Sequence, residues 1–285
     1  MKSEGICLEV YGRTDVGRVR DHNEDAFVVA DLMAPDAIHA TPQPLELEVG
    51  ARGVLLAVSD GMGGAQAGEV ASALALHALR RGMSKVDTTN AEAALTAGVE
   101  RANRKVWDAA AASDRKGMGA TLTVVFIHGK RAYVAEVGDS RAYVLRGKNL
   151  IQLTRDQSCV QLLVDAGTLT REQAETFQYK NLILQAIGTK PEVVVALNRF
   201  TLRRGDKLLL CSDGLTGKIK DEELRDALVS SANLDATCTQ LVELANARGG
   251  EDNITVILAE LGGDGLPASE GEERVSLETV QAFTG

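Results

Sequence analysis

The sequence contains little of what marks several common protein classes. It has only four cysteines, and none of them forms a CxxC pair, which argues against a zinc site and a disulfide framework. No apolar run approaches the roughly 18 to 20 residues that span a membrane, and the N-terminus lacks the apolar segment of a signal peptide. These absences predict a cytoplasmic protein with reduced thiols. The cysteines are Cys7, Cys159, Cys211 and Cys238.

Basic residues are also scarce. Lys and Arg number 31 against 40 Asp and Glu, and the formal net charge is -9. A nucleic-acid-binding surface needs clustered basic residues, and the sequence has no basic cluster interleaved with aromatics. We therefore expect no nucleic-acid partner, and the excess carboxylates are more interesting as metal ligands. We also expect no membrane partner and a monomeric protein.

The chain has enough apolar residues to bury a sizeable core. They make up 45% of 285 residues, which suits one large domain or two small ones. Three β-rich runs within 120–146 predict an antiparallel meander, and short helical segments within 157–188 predict a lid between strands. The proline-containing stretch 31–52 predicts a surface loop or an extended hairpin connection, and the Gly- and Glu-rich residues 263–285 predict a flexible tail after a domain spanning 1–262.

Two predicted buried strands end in the same tripeptide. The apolar run Val54–Val58 leads into Ser-Asp-Gly at Asp60, and a second run that starts at Lys207 leads into Ser-Asp-Gly at Asp213. A strand followed by a turn explains either segment alone, because Asp-Gly is a common turn dipeptide. Their repetition indicates a shared purpose, in which each strand delivers one carboxylate to a loop.

Four acidic residues stand beside predicted strand ends, namely Asp25, Asp60, Asp213 and Asp252. Any one of them alone is more commonly a cap or turn residue. Mg²⁺ and Mn²⁺ prefer oxygen ligands in octahedral geometry, and carboxylates that pack together repel one another unless a cation lies between them. The shared placement of the four acids predicts a joint metal site and favours metal-assisted hydrolysis.

These acids lie within ordered segments that resemble the PPM-type (type 2C) metal-dependent serine/threonine protein phosphatases in their compact bacterial form. The segments are TDVGRVRDHNEDA, VSDGMGG, GMGATLT, VGDSRAYVLR, LTRDQS, LLLCSDGL and EDNITVI. The resemblance implies an α+β fold: an α-β-β-α sandwich of two antiparallel sheets flanked by helices, with a small helical flap at 157–188. It also implies that the catalytic domain occupies 1–262, with a centre of two Mn²⁺ or Mg²⁺ ions.

The resemblance assigns a metal-binding role to five residues. Asp60 would bridge both ions, and the backbone carbonyl of Gly61 would bind one of them. Asp25 would hold a metal directly or through water, and Asp213 and Asp252 would complete the opposite side of the centre.

Four further residues would act around this centre. Arg20 would grip the phosphate, because a guanidinium fork complements phosphoryl oxygens. Asn253 would help position phosphate or water, Glu24 would lie behind the metal ligands, and Asp114 would contribute to a weaker third metal site. The predicted catalytic residues are Arg20, Asp60 and Asp213.

The implied activity is hydrolysis of phosphoserine and phosphothreonine on proteins, by a water that the two ions activate for in-line attack. The implied partners are substrates of Ser/Thr kinases or the autophosphorylated kinases themselves. Met62 departs from the family pattern, since some members have there a histidine that protonates the leaving oxygen, and a thioether cannot donate a proton. His22 could assist instead. A second departure is Phe177–Lys180, which replaces the usual run in the lid.

Two alternatives stay open. Cys7–Arg13 matches the Cys-x5-Arg pattern of cysteine phosphatases, although the alternation of residues 8–11 predicts a strand where that chemistry needs a glycine-rich loop opening a helix. The other alternative is a catalytically silent phosphoprotein-binding domain of the same fold. Such a domain should have lost a metal ligand, whereas all four aspartates are present.

Overall fold

The computed structural model describes residues 5–34, 43–63, 67–111, 117–179, 181–269 and 273–284. Within these ranges two antiparallel sheets pack face to face, and helices cover both outer faces. The predicted α-β-β-α sandwich is therefore confirmed. No helix of the described residues combines the length and apolarity needed to cross a membrane.

In the first sheet, the first strand of the chain pairs with the strand that precedes the C-terminal segment. The order of this sheet is β3 (Leu45–Glu48), β1 (Cys7–Asp15), β12 (Ile254–Gly262), β11 (Lys207–Cys211), β8 (Arg141–Arg146) and β9 (Asn149–Gln152). β3 lies in the stretch 31–52, for which the sequence predicts a surface loop or an extended hairpin connection, and these residues form instead an edge strand paired with β1. The Leu-Glu-Leu-Glu alternation fits an edge strand whose leucines pack against the core between the sheets.

The second sheet contains Asp25 and Asp60, two of the predicted metal ligands. Its order is β13 (Glu278–Gln281), β10 (Ala196–Thr201), β7 (Arg131–Val137), β6 (Leu122–His128), β4 (Val54–Met62) and β2 (Asp25–Asp31), and β5 (Gly119–Ala120) pairs with the end of β4. The predicted three-stranded meander is wrong in its third strand, because β8 joins the first sheet. Gly138, at φ 112°, lies in the turn that carries the chain from one sheet to the other.

Three apolar layers fill the sandwich. On β6, Val124 and Phe126 pack towards the helices, whereas Val125 and Ile127 pack towards the other sheet. A strand that is covered on both faces has no solvent side, which explains its continuous apolar run. The covering helices are α1 (Ala67–Met83) and α2 (Ala91–Ala111) on the second sheet, and α6 (Asp221–Ser230) and α7 (Leu234–Ala247) on the first.

The predicted helical insertion forms a flap between β9 and β10. It contains α3 (Cys159–Asp165) and α4 (Arg171–Glu175), which begin at the N-caps Ser158 and Thr170. Thr170 and Gln173 form a reciprocal capping box. These local signals account for short helices in a segment that has little buried apolar surface.

The described part of the C-terminal segment is packed rather than free, which corrects the prediction of a flexible tail. Leu266 is buried, Val275 and Leu277 contact the core between the sheets, and β13 pairs with β10. Glu273 forms ion pairs with Arg146 and Arg203. The glutamates that suggested a solvated tail are thus used in part to hold the segment against the domain.

Candidate metal and phosphate site

The second sheet places two of the predicted ligands directly opposite each other. Asp25 is the first residue of β2, and its Cα partner in the antiparallel register is Asp60 near the end of β4. Like charges at directly opposed positions destabilise a sheet. This pair therefore needs a proton or a cation between its carboxylates.

The first sheet delivers the third carboxylate to the same place. β11 ends before Asp213, which opens the short helix α5 (Asp213–Thr216), and Asp213 lies close enough to Asp60 for its charge to raise the Asp60 pKa. The preceding Ser212 donates from Oγ to Oδ2 of Asp25 over 2.6 Å. The two Ser-Asp-Gly strands, one from each sheet, thus meet across the end of the sandwich.

Burial and mutual repulsion raise the pKa of each of these acids. Burial raises the pKa of Asp25 to about 7, with the charges of Asp213 and Asp252 adding to the effect of burial. Burial is the main cause that raises the pKa of Asp60 well above its usual range, and the charge of Asp25 is the next. Burial also raises the pKa of Asp213, and the charge of Asp252 adds to that effect. A divalent cation would oppose all three shifts, because its positive charge stabilises the ionised carboxylates and displaces their protons.

The donor set fits a hard divalent cation. Oδ1 of Asp25 and Oδ1 of Asp213 are both buried and find no donor among the described residues, so two carboxylate oxygens are available to a metal. In the same ranges no three acidic, histidine or cysteine side chains already form a finished metal cluster. The fourth predicted ligand, Asp252, accepts a hydrogen bond from Arg20 at the rim of the site.

Gly61 is fixed beside Asp60 by close packing of the backbone. A Cβ on Gly61 would lie 2.1 Å from the carbonyl oxygen of Gly68 and 2.7 Å from that of Glu24, so any other residue would clash. The Gly61 amide also donates to the Glu24 carbonyl over 3.1 Å. The Asp-Gly pair at this strand end is therefore required by the fold as well as by the proposed chemistry.

Arg20 lies at the rim of the site and is bound to a predicted metal ligand. Its Nη2 donates to Oδ2 of Asp252 over 3.0 Å, with exposed side-chain fractions of 51% and 35%. The carboxylate of Asp252 is the main cause that raises the Arg20 pKa, and Glu24 and Asp60 add to it. An exposed ion pair of this kind contributes about 0–1 kcal/mol, so Arg20 can exchange Asp252 for a phosphate at little cost.

Asn253 acts as a clamp on the loop before β2. Its Nδ2 donates to the carbonyls of Val16 and His22, each over 2.9 Å, and its Oδ1 accepts from the Glu24 amide over 2.8 Å. Both amide protons are taken, so none is left for phosphate. The structure thus favours a positioning role over the predicted phosphate contact.

Glu24 serves the site chiefly through its backbone. Its carbonyl accepts from the Gly61 amide and from Ser72 Oγ, the latter over 2.6 Å. The predicted place behind the ligands agrees with these contacts, because Glu24 joins α1, the β4 end and the Asn253 clamp.

Sequence reasoning missed several residues that shape the site. Thr121 Oγ1 accepts from the Asp60 amide over 2.9 Å and shares a 2.7 Å hydrogen bond with Ser140 Oγ. Asp139 is half-buried near Asp60 and Asp213, and desolvation followed by the charge of Asp213 raises its pKa to about 8. The motifs GATLT and GDSR carry these residues, but only the packing of the two sheets shows that they meet.

The other predicted residues contribute no side chain to the contacts given above or fall outside the described residues. Asp114 and Lys180 fall outside the described residues. Met62 is half-buried at the end of β4, and Phe177 packs edge-on against Tyr179 in the flap with ring centroids 5.9 Å apart. His22 is exposed. The individual roles assigned to the site residues stay predictions.

The Cys-x5-Arg alternative is excluded by the backbone. Cys7–Arg13 lies within the regular strand β1, paired with β12 and β3, and Arg13 donates to Thr239 Oγ1 over 3.0 Å. An extended strand cannot wrap a phosphate in successive backbone amides.

Comparison with known proteins gives concordant matches. A family model described as Protein phosphatase 2C matches residues 32–259. The serine/threonine protein phosphatase PstP of Mycobacterium tuberculosis is 38% identical over 261 residues, which cover 90% of this chain and 45% of that protein. The serine/threonine phosphatase stp of Listeria welshimeri is 36% identical over 253 residues, covering 87% of this chain and 94% of that protein. A solved structure of the PstP catalytic domain with two manganese ions aligns with a TM-score of 0.75 at 36% identity, covering 90% of this chain and 99% of that one.

Proposed function

The chain belongs to the protein phosphatase 2C family, and from this premise we propose that it is a metal-dependent protein serine/threonine phosphatase. It hydrolyses phosphoserine and phosphothreonine monoesters on proteins. The observation that carries the proposal is the meeting of buried Asp25 with half-buried Asp60 and Asp213, contributed by both sheets, as carboxyls with raised pKa values. Acids arranged in this way serve a metal site better than they serve a core.

Two Mn²⁺ or Mg²⁺ ions would be held by Asp25, Asp60, Asp213, Asp252 and the carbonyl of Gly61. When bound, such ions supply positive charge that acidifies water and stabilises charge on phosphoryl oxygens. The relative whose structure contains two manganese ions supports a centre of two ions. A weaker third ion that uses Asp114 is part of the proposal.

The residues of the chain perform the remaining tasks. Arg20 leaves Asp252 and binds two phosphoryl oxygens through its guanidinium fork, which orients the phosphate. Ser212 holds the Asp25 carboxylate, and Thr121 holds the backbone of Asp60. Met62 cannot protonate the leaving serine or threonine oxygen, so that proton comes from another group, for which His22 is a candidate.

The partners follow from this activity. We propose that the substrates are proteins phosphorylated by Ser/Thr kinases, including autophosphorylated kinases, and that the chain acts as a monomer. We also propose a cytoplasmic location, which the four free cysteines support. This chain spans 45% of the length of PstP but 94% of the Listeria phosphatase, and the second comparison supports an activity that needs no further domain.

A phosphothreonine peptide assay tests the proposal. We expect turnover with Mn²⁺, its loss in EDTA and its return when Mn²⁺ is restored. Asp60→Asn should lower kcat by orders of magnitude while circular dichroism shows a folded protein, and Glu48→Gln, an exposed carboxyl of β3, should change nothing. A folded, metal-loaded wild type that binds the peptide without turnover would favour the silent binding domain, and full turnover in EDTA would refute the metal site.

A further inference from the structure

A cavity of about 380 Å³ lies between the root of the flap and the C-terminal segment. Its lining includes Glu136 on β7, Asn198 on β10, Leu162 and Asp165 on α3, and Phe283 near the end of the described chain. None of the residues proposed to hold metal takes part in it. The cavity therefore calls for an explanation of its own.

Two buried acceptors of this lining lack hydrogen-bond donors. Glu136 is 2% exposed, and its Oε2 accepts from the Arg155 amide over 2.9 Å, whereas no donor in the described ranges reaches Oε1. Asn198 donates from Nδ2 to the Leu153 carbonyl over 2.9 Å, and its Oδ1 likewise finds no donor there. Buried polar atoms are normally paired, so two such acceptors in one cavity point to a ligand that donates.

The register places these two side chains on one face of the sheet. Glu136 pairs with Ala196, and Asn198 pairs with Val134, so the two residues are diagonal neighbours across β7 and β10. Diagonal neighbours on the same face are within reach of one another's long side chains. One ligand group can therefore contact both acceptors.

The charges around the cavity favour a cation. Its lining has three carboxyl groups, on Glu136, Asp156 and Asp165, against the single lining guanidinium of Arg155. Arg155 is already bound to Asp165, and Asp156 is held by Arg141. Glu136 is thus the lining carboxyl to which a cationic ligand can donate.

The state of Glu136 agrees with this inference. Burial raises its pKa well above the usual range, and the charges of Asp156 and Asp139 raise it further against the opposing effects of the Arg155 amide and of Arg141. A proton that neutralises a buried carboxyl can be replaced by a cationic donor. Lining residues Leu162, Leu184 and Phe283 would meet an apolar portion of the same molecule.

We propose that this cavity binds a small organic cation, with an ammonium or amidinium group that donates to Glu136 and Asn198 and an apolar body that lies against the flap and the C-terminal segment. A metal ion fits less well, because Asp156 and Asp165 are already engaged by arginines. A ligand bound here contacts the flap, β7 and β13.

The test uses the full chain with benzamidine as the probe and benzamide as its neutral isostere. Titration followed by ¹H–¹⁵N spectra should shift residues 155–165 and 279–284, with benzamide binding at least about tenfold more weakly because it lacks the charge. Glu136→Gln should weaken benzamidine binding by at least about tenfold, whereas Glu48→Gln, the same exchange on an exposed strand, should leave it unchanged.

A second variant guards against a change of fold. Ala196→Leu puts a larger side chain into the cavity and should block benzamidine while the rest of the spectrum is retained. The proposal is overturned by absence of binding, by shifts that map elsewhere, by equal binding of benzamide, or by unchanged affinity in Glu136→Gln. EDTA should not alter benzamidine binding, which separates this result from the fate of the proposed phosphatase activity.

Discussion

Replacing Asp25 by Asn should stabilise the metal-free protein while it removes a metal ligand. Asp25 is buried opposite Asp60, and its pKa is raised from an ordinary value of 3.8 to about 7. A carboxyl whose folded pKa exceeds its unfolded pKa binds its proton more tightly in the folded state. The free energy of unfolding is then largest below the unfolded pKa and falls as the pH rises through the folded pKa.

The size of this effect follows from the two pKa values. The interval between 3.8 and about 7, at about 1.36 kcal/mol per unit, corresponds to about 4 kcal/mol lost by pH 8. Asn is neutral, keeps the shape of Asp and retains an oxygen that can accept from Ser212 Oγ. Asp60 titrates in both proteins, but in the variant its pKa is no longer raised by the charge of Asp25, which changes stability in the same direction.

Urea unfolding in EDTA measures this difference. At about pH 8 we expect Asp25→Asn to exceed wild type by up to about 4 kcal/mol, and at about pH 4 by less than about 1 kcal/mol. Mn²⁺ at about one hundred times its dissociation constant should stabilise wild type by about 2.7 kcal/mol and the variant much less. Equal stabilities at pH 8 in EDTA, or a gap that does not change with pH, would refute the reasoning.

Three further predictions concern the rim, the loop clamp and the C-terminal segment. Arg20→Lys should change the free energy of unfolding by less than about 1 kcal/mol but raise the KM for a phosphopeptide about tenfold or more, and unchanged kinetics would contradict the phosphate grip. Asn253→Ala should weaken metal binding and stability together, because it releases the loop before β2; a loss of kcat alone, by calorimetry and kinetics, would instead indicate direct phosphate contact. Deletion of residues 263–285 removes β13 and buried Leu266 and should lower the urea midpoint, which a free tail would leave unchanged.

The strand ends of the site could be predicted because their signals are local. An apolar run followed by Ser-Asp-Gly indicates a buried strand that ends in a turn, and Asp60 and Asp213 both occupy such ends. The sandwich itself came from the resemblance rather than from the pattern. The pattern alone assigned β8 to a meander with β7, because a single turn at Gly138 does not reveal that the chain changes sheets.

The remaining features depend on contacts between distant residues. Nothing near Asn253 in sequence indicates that its amide binds the carbonyls of Val16 and His22. The packing of residues 273–281 similarly depends on Arg146 and Arg203 and on the free edge of β10. Composition described this segment as Glu-rich, but it could not show which glutamates have arginine partners.

The division of the site between the sheets links its chemistry to the stability of the sandwich. Asp25 and Asp60 belong to the second sheet, whereas Asp213 and Asp252 are carried by β11 and β12 of the first. Sheet packing therefore forces these acids together, and their repulsion opposes the same packing that buries the apolar layer between the sheets. A cation bound among them reverses the sign of this interaction, because it attracts carboxylates from both sides. Metal binding at this end of the sandwich would therefore also stabilise the packing of the two sheets there.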